Sequence, residues 1–177
     1  MARNRSKRTY DEVERFLNGS IPQEIEDDIL SAFANYNIER DMTREDLSSF
    51  FQELQLPSEV TKFYDLNDLC IGGTQIVDFE KLLRATYHVL VFMNNMAVID
   101  GFWEMLVKAC GRDVAFPKVL LKNHVLSIKD LQKVANSASV ESTGLVEMMS
   151  VATHGKRVFM TWLDLAYILG KLGILAF

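Results

Sequence analysis

The chain has 177 residues, of which 49% are hydrophobic and 24% charged; these proportions are those of a folded globular protein and exclude a disordered one. A chain of this length can bury a sizeable core in one domain or in two small lobes. The formal net charge of −5 excludes a general attraction of the whole molecule to nucleic acid or to an acidic membrane. The two cysteines, Cys70 and Cys110, lack CxxC spacing, which excludes a disulfide framework and favours a reducing compartment.

The first residues carry a basic cluster that consists of Arg3, Arg5, Lys7 and Arg8 and has two interpretations. It acts as a nuclear-import signal or phosphate-contacting arm, or it is a solvated tail.

We expect no signal peptide, because the first residues have no apolar stretch. The apolar final twenty residues are interrupted by Asp164 and Lys171, which argues against a membrane anchor. A short amphipathic segment, Tyr10 to Leu17, is predicted to form an additional helix.

One hexad recurs four times along the chain. Each copy has an apolar residue, then Thr, Ser or Asp, two spacers, Asp or Lys, and Leu. The copies start at residues 42, 77, 126 and 160, so the first and last intervals (35 and 34 residues) are similar and the middle one (49) is longer. This spacing indicates two pairs joined by a connector. The copies read MTREDL, VDFEKL, LSIKDL and MTWLDL.

The hexads have the composition of helix starts. Thr43, Ser127 and Thr161 can each accept a backbone N–H at the first turn, and the Asp three residues later can reach back to complete a capping box. Asp78 can also cap a helix, although Lys81 cannot complete the box. We therefore predict that every hexad opens a helix. We also predict that the apolar residue before each cap lies in a short extended segment, paired with that of the neighbouring loop.

A second helix is predicted before each hexad, because apolar residues recur there at helical spacing. The first of these helices is expected to begin at a capping box formed by Ser20 and Gln23. Four helix–loop–helix motifs follow from this pattern. The apolar stripes of the four preceding helices contain Ile25, Ile29, Leu30 and Phe33; Val60, Phe63 and Tyr64; Ile99, Trp103, Leu106, Val107 and Cys110; and Leu145, Met148, Met149 and Ala152.

This layout resembles the EF-hand family, in which a twelve-residue loop joins two helices. The predicted fold is therefore all-α and EF-hand-like, with four degenerate helix–loop–helix motifs in two paired lobes. The expected organisation is a basic tail with a short helix (residues 1–19), an N-terminal lobe (20–93) and a C-terminal lobe (94–177).

The calcium ligands of an EF-hand do not recur in the four loops. In the loop of residues 35–46, Arg40 occupies the position that requires Gly, and weak calcium binding is left open only here. The loop of residues 70–81 ends in Lys81, the loop of 111–126 is enlarged, and the loop of 153–164 lacks an acidic run. We expect no metal site and no cofactor.

An enzymatic role is not expected. His88, His124 and His154 are far apart in the sequence and form no metal-binding motif. Cys110 lies on a predicted apolar helix face, which indicates an inert thiol rather than a nucleophile. The segment IGGT at residues 71–74 lacks the Lys-Ser/Thr sequel of a phosphate-binding loop and is predicted to be a turn. No catalytic residues are predicted.

The C-terminal lobe is the better candidate for a groove that binds a partner helix. Six of the eight methionines lie at or after residue 93, both tryptophans lie in the same half, and methionine is common in adaptable helix-binding grooves. For any single methionine, core filling is an equally good interpretation. The residues predicted to line the groove are Trp103, Leu106, Val107, Leu131, Val134, Met148, Met149, Leu165 and Ile168.

Several long stretches resemble a family of fungal, centrin-like nucleotide-excision-repair factors. This resemblance covers the chain from about Tyr10 to its end, and it implies a nuclear subunit, with a cytoplasmic pool left open. The family associates with the yeast XPC-type lesion-recognition protein. The resemblance thus implies a non-catalytic subunit that binds a helix in the C-terminal part of that partner and stabilises it, within a larger repair complex. The stretches are DMTREDLSSFFQELQL, GTQIVDFEKLLRATY, FMNNMAVIDGFWEML, CGRDVAFPKV, HVLSIKDLQKV and GKRVFMTWLDLAYILGKLG.

Neither sequence-specific DNA binding nor a membrane partner is expected, because lesion specificity would belong to the recognition protein. Calcium-independent binding follows from the missing loop ligands. The alternative is a light-chain-like or calcium-sensor adaptor that binds a cytoskeletal or signalling target helix. Calcium-dependent binding would favour that alternative.

Overall fold

The computed structural model describes residues 10–18 and 21–176. This part of the chain is mostly helical and contains one short two-stranded sheet. It divides into two compact units, the first ending at Asn94 and the second spanning Asn95–Leu175. The N-terminal basic cluster and Ser20 lie outside the described residues.

Within residues 10–18 and 21–94, the first unit is built from five α-helices. Ile29 and Phe33 on the second helix are buried, as the predicted stripe requires, but Ile25 and Leu30 of the same stripe are 37% and 47% exposed. The helix packs on one side only, so the residues at the edges of its apolar arc remain in contact with water. The helices are α1 (Tyr10–Asn18), α2 (Gln23–Tyr36), α3 (Leu47–Glu53), α4 (Ser58–Thr61) and α5 (Phe79–Asn94).

The second unit has five helices and the sheet. Trp103 and Trp162 are fully buried and are the largest side chains of its core. The two strands are antiparallel, with Leu126 opposite Met160 and Ser127 opposite Phe159. The elements are α6 (Met96–Ala109), α7 (Arg112–Ala115), β1 (Leu126–Ser127), α8 (Ile128–Ser137), α9 (Leu145–Ala152), β2 (Phe159–Met160) and α10 (Trp162–Lys171).

The hexads open helices as predicted, and two of them begin an α-helix directly with a complete capping box. The Ser127 hydroxyl accepts the Asp130 N–H (3.3 Å), while the Asp130 carboxylate accepts the Ser127 N–H (2.9 Å). Thr161 and Asp164 exchange the same two bonds at 3.4 and 2.7 Å. These contacts satisfy N–H groups that a helix start otherwise leaves without a partner.

The other two hexads follow variants of this arrangement. In the first, the Asp46 carboxylate accepts the Thr43 N–H (2.8 Å), and a 3₁₀ turn precedes α3. In the second, Asp78 Oδ1 accepts the Lys81 N–H (3.3 Å) before α5. The prediction that all four hexads begin helices is therefore confirmed.

The loops pair as the sequence predicts. In the first unit, the Val77 N–H donates to the Met42 carbonyl (2.9 Å), and an antiparallel bridge joins Thr43 and Ile76. In the second unit, the paired segments are β1 and β2. The apolar residue that opens each hexad is buried in every case. These residues are Met42, Val77, Leu126 and Met160, with exposures of 1%, 5%, 0% and 5%.

Two local predictions were wrong, and the third loop, predicted only to be enlarged, contains helical turns. Helix α2 begins at Gln23 with Pro22 at its N-cap and no side-chain cap, because the fixed φ of proline already suits a helix entry. The helix predicted before the second hexad shrinks to the four residues of α4, followed by a 3₁₀ turn at Leu66–Leu69. The enlarged third loop contains α7 and a further 3₁₀ turn at Leu121–Asn123.

Within the described residues, no single helix has the length and apolarity needed to cross a membrane. Helices α5 and α6 meet that criterion only as a pair with a sharp bend between them.

The capping box of α10 allows a direct test. Thr161→Ala removes the hydroxyl and should lower the free energy of unfolding by about 1 kcal/mol. Thr161→Ser keeps the hydroxyl and is the matched control. Urea denaturation of both variants measures the difference, and equal midpoints for Ala and Ser would contradict the assigned cap.

The hexad carboxylates predict a loss of stability in acid. Hydrogen bonds from Arg40 and Thr43 hold the pKa of Asp46 well below 3.8. Burial raises the pKa of Asp130, but hydrogen bonds from Ser127 and Arg112 lower it further than burial raises it. A carboxyl whose pKa is depressed in the folded state stabilises the protein above its unfolded pKa, and this stabilisation is lost as pH falls.

We therefore expect the free energy of unfolding to fall as pH drops below about 4. Asp130→Asn removes one contributor, so its stability at neutral pH should be lower and its decline in acid shallower than in the unmodified chain. Urea titrations at a series of pH values measure both slopes. Identical slopes would show that Asp130 is not among the groups responsible.

Candidate partner-binding site

The nine predicted groove residues lie on four helices of the second unit. Helix α6 packs against α8 and α10, and helix α9 packs against the same two, so the four helices form a closed ring of contacts. The ring brings together positions that are more than sixty residues apart in the sequence. Helix α6 carries Trp103, Leu106 and Val107; α8 carries Leu131 and Val134; α9 carries Met148 and Met149; and α10 carries Leu165 and Ile168.

Exposure divides the nine residues into two groups. Only the second group has apolar surface that a partner can cover, and we call it the accessible face. Four residues belong to the core of the unit: Trp103 (0% exposed), Val107 (1%), Met149 (3%) and Leu165 (7%). The accessible face consists of the half-buried Leu106, Leu131, Val134 and Ile168 together with Met148, which is 64% exposed.

The two tryptophans belong to the interior of the unit rather than to its surface. The Trp103 indole N–H donates to the Leu121 carbonyl (2.8 Å) and so connects α6 to the third loop. The Trp162 indole N–H donates to Asp100 Oδ1 (2.8 Å), and Lys122 Nζ lies 5.5 Å from the centre of a Trp162 ring. Both rings are fully buried with their polar atoms paired, which makes them a rigid support for the helices.

Exposed apolar residues beside the accessible face were not predicted. Val146 and Val151 on α9 are 60% and 67% exposed, and Leu172 just after α10 is 66% exposed. The sequence of α9, LVEMMSVA, has too few polar residues to mark which side faces water. Helical periodicity therefore could not separate its buried Met149 from its exposed valines.

The enlarged third loop forms a pocket of about 190 Å³ that was also not predicted. Of the predicted groove residues, only Val107 lines it. Val114, Phe116 and Leu120 of the same loop are 80%, 48% and 71% exposed. The loop is thus more apolar at its surface than a simple connector requires. The pocket is lined by Glu104, Val107, Lys108, Asp113, Phe116, Pro117, Val119, Leu121 and His124.

The loops do not assemble a metal site in the part of the chain that the structure describes, where no three His, Cys, Asp or Glu side chains are suitably grouped. In the first loop, where weak calcium binding was left open, both terminal nitrogens of Arg40 donate to the Asp46 carboxylate (2.8 Å each). A divalent ion at this carboxylate would have to displace the guanidinium group.

The three histidines and Cys110 were considered as candidate catalytic or metal-binding residues, and the structure shows where each side chain lies. His88 is buried, and its Nε2 lies 2.8 Å from the Phe16 carbonyl of α1. His124 is buried and His154 is exposed. Burial raises the pKa of the Cys110 thiol, which donates to the Val107 carbonyl (3.3 Å). A thiol in this environment is a poor nucleophile.

Comparison with known proteins places this chain among its relatives. The profile of the Rad33 family matches residues 63–143, a stretch that contains the second hexad, α6, the third loop and α8. Over 168 residues the chain is 49% identical to the DNA repair protein RAD33 of Saccharomyces cerevisiae, covering 94% of this chain and 95% of that protein. No solved structure matches the chain. Because the identity is 49% and the match spans nearly the whole length of both proteins, the chain belongs to the Rad33 family.

Proposed function

We propose that this chain is a non-catalytic accessory subunit of nucleotide-excision DNA repair. In this role it holds an amphipathic helix from the C-terminal part of the XPC-type damage-recognition protein and thereby stabilises that partner. The observation that carries the proposal is the ring of α6, α8, α9 and α10, which carries the partly exposed apolar residues of the accessible face around a buried core. Membership of a family that includes a DNA repair protein supplies the process.

The arrangement of the helices supports a centrin-like, EF-hand-like fold for both lobes. Hexads at similar intervals open a helix in each motif, and the loops pair two by two through short antiparallel segments. Paired helix–loop–helix motifs of this kind bind target helices in a groove between their helices.

The accessible face is chemically suited to the apolar side of a helix. Full burial of one Leu, Ile, Val or Met side chain is worth about 1.5–3 kcal/mol, and the half-buried members of the face gain only part of this. Association also costs translational and rotational freedom, so five such residues alone support moderate affinity. The exposed Val146, Val151 and Leu172 extend the apolar area on the same helices or beside them.

Ion independence is part of the proposal. Three of the four loops end in Asp46 or Asp164, already paired with an arginine, or in Lys81, which repels a cation, and the enlarged third loop ends in the apolar Leu126. A calcium sensor needs free carboxylates at these positions. The light-chain-like or sensor alternative therefore has no support from the described loops, and calcium dependence of binding would revive it.

The division of labour in the proposed complex assigns lesion recognition to the partner. A net charge of −5 gives this chain no general affinity for the phosphate backbone. The protein would act in the nucleus through protein contacts, with its effect measured as the stability and repair activity of the recognition protein.

Calorimetric titration with a peptide from the C-terminal region of the XPC-type partner tests the proposal. We expect equal affinity in EGTA and in calcium. Met148→Asp should weaken binding about tenfold or more, because a charge replaces the most exposed apolar side chain of the accessible face. Met148 is 64% exposed in the free protein, so the variant should fold normally.

Val140→Asp is the matched control, because Val140 is 61% exposed and lies between α8 and α9. It should bind as the unmodified chain does. Binding only with calcium would replace the proposal with the sensor alternative. Binding unaffected by Met148→Asp would place the contact away from the accessible face, and no binding would refute the proposed partner.

A further inference from the structure

A cationic side chain of the protein itself contacts a loop oxygen in all four helix–loop–helix motifs. In three of them the oxygen belongs to the Asp at the fifth position of the hexad, and the cation is an arginine from the preceding loop. The pairs are Arg40 with Asp46 (2.8 Å), Arg112 with Asp130 (3.1 Å) and Arg157 with Asp164 (2.6 Å).

The second motif reverses this arrangement. Lys81 stands at the fifth position of its hexad, where the others have Asp. Its Nζ donates to the carbonyl of Cys70 (2.7 Å), at the beginning of the loop, and lies 3.5 Å from Asp78 Oδ2. In this motif the cation lies at the helix start and the oxygen in the loop, so a positive charge again joins the loop to the start of the helix.

The sequence separation between the arginine and the Asp varies although the contact does not. Arg40 precedes Asp46 by six residues and Arg157 precedes Asp164 by seven, but Arg112 precedes Asp130 by eighteen. The third loop is enlarged, and it still brings a guanidinium group to the carboxylate of its hexad. Recurrence of the contact from different positions indicates that the geometry of the loop requires a cation there.

Burial distinguishes two of these contacts, Arg112 with Asp130 and Arg157 with Asp164, from ordinary surface salt bridges, which contribute little to stability. The side chains of Asp130 and Asp164 are 10% and 6% exposed, and those of Arg112 and Arg157 are 21% and 33% exposed. Each carboxylate also accepts the N–H and the hydroxyl of its helix cap. Removing the arginine would leave a buried negative charge without its counter-ion.

We infer that these four side chains are internal replacements for the loop-closing ion of an EF-hand. Arg40, Lys81, Arg112 and Arg157 each join loop and helix start, so the loops are held closed by the chain alone. The inference uses the EF-hand-like arrangement proposed above but not the partner, and binding of a helix is therefore irrelevant to its test. It follows that calcium added to the protein finds no vacant site in the loops and does not change their conformation.

Chemical rescue provides the test. Arg157→Ala in the full chain should lower the midpoint of thermal unfolding by about 5 °C or more, because Asp164 is left uncompensated. Guanidinium chloride at a low, non-denaturing concentration should restore part of the loss, since the free ion fits the space of the missing group. Sodium chloride at equal ionic strength should restore less. Arg84→Ala, at an exposed position of α5, is the control and should show neither the loss nor the rescue.

The same experiment on Arg40→Ala covers the case in which Arg157→Ala fails to fold. Arg40 is 58% exposed, so its loss should be smaller and its variant folded, with rescue again specific to guanidinium. Calcium and EGTA should leave the midpoint of the unmodified chain unchanged. Loss without specific rescue in both variants, or stabilisation of the unmodified chain by calcium, would overturn the inference.

Discussion

The carboxylate at the fifth position of the hexad is the group on which most of the structure depends. In Asp130 and Asp164 a single side chain accepts the N–H and the hydroxyl of the helix cap and also pairs with an arginine of the loop. A carboxylate buried this deeply is favourable only when its acceptor capacity is used. The three contacts together satisfy it and join the loop to the first turn of the following helix.

This local constraint sets the core. Because the helix start is held by the cap, the residue before it lies in extended backbone and can pair with the neighbouring loop, as Leu126 does with Met160. The same pairing points these apolar residues into the unit, where they are buried. Helices α8 and α10, which begin at these caps, then close the ring with α6 and α9. The residues of the accessible face lie on the helices of that ring.

The sequence was sufficient to predict the repeated elements and insufficient for contacts between them. Hexads, caps and paired segments are local patterns with a fixed spacing, so all four helix starts were found. The arginine contacts were not, because Arg112 and Asp130 are eighteen residues apart in an irregular loop. Helical periodicity placed Trp103 and Met148 in one groove, yet one is fully buried and the other mostly exposed. The burial of a side chain depends on how neighbouring helices pack against it, and the periodicity of one helix gives no information about that packing.

The third loop shows the same limit. Its sequence indicated only an enlarged connector, whereas the chain folds there into α7, a 3₁₀ turn and a pocket next to α6. Short helices of this kind depend on tertiary contacts, such as the bond from Trp103 to Leu121, rather than on propensity. The family profile includes this loop, so it is a feature to examine in other family members.

We propose that the second unit binds a partner helix through a face whose conformation needs no ion. Hydrogen–deuterium exchange of the protein with the XPC-type peptide, measured in EGTA and in calcium, is the measurement to make first. We expect new protection on α6, α8, α9 and α10 that is the same in both buffers, with the four loops unchanged by calcium. Protection of the loops that appears only with calcium, or peptide protection confined to the first unit, would contradict this proposal.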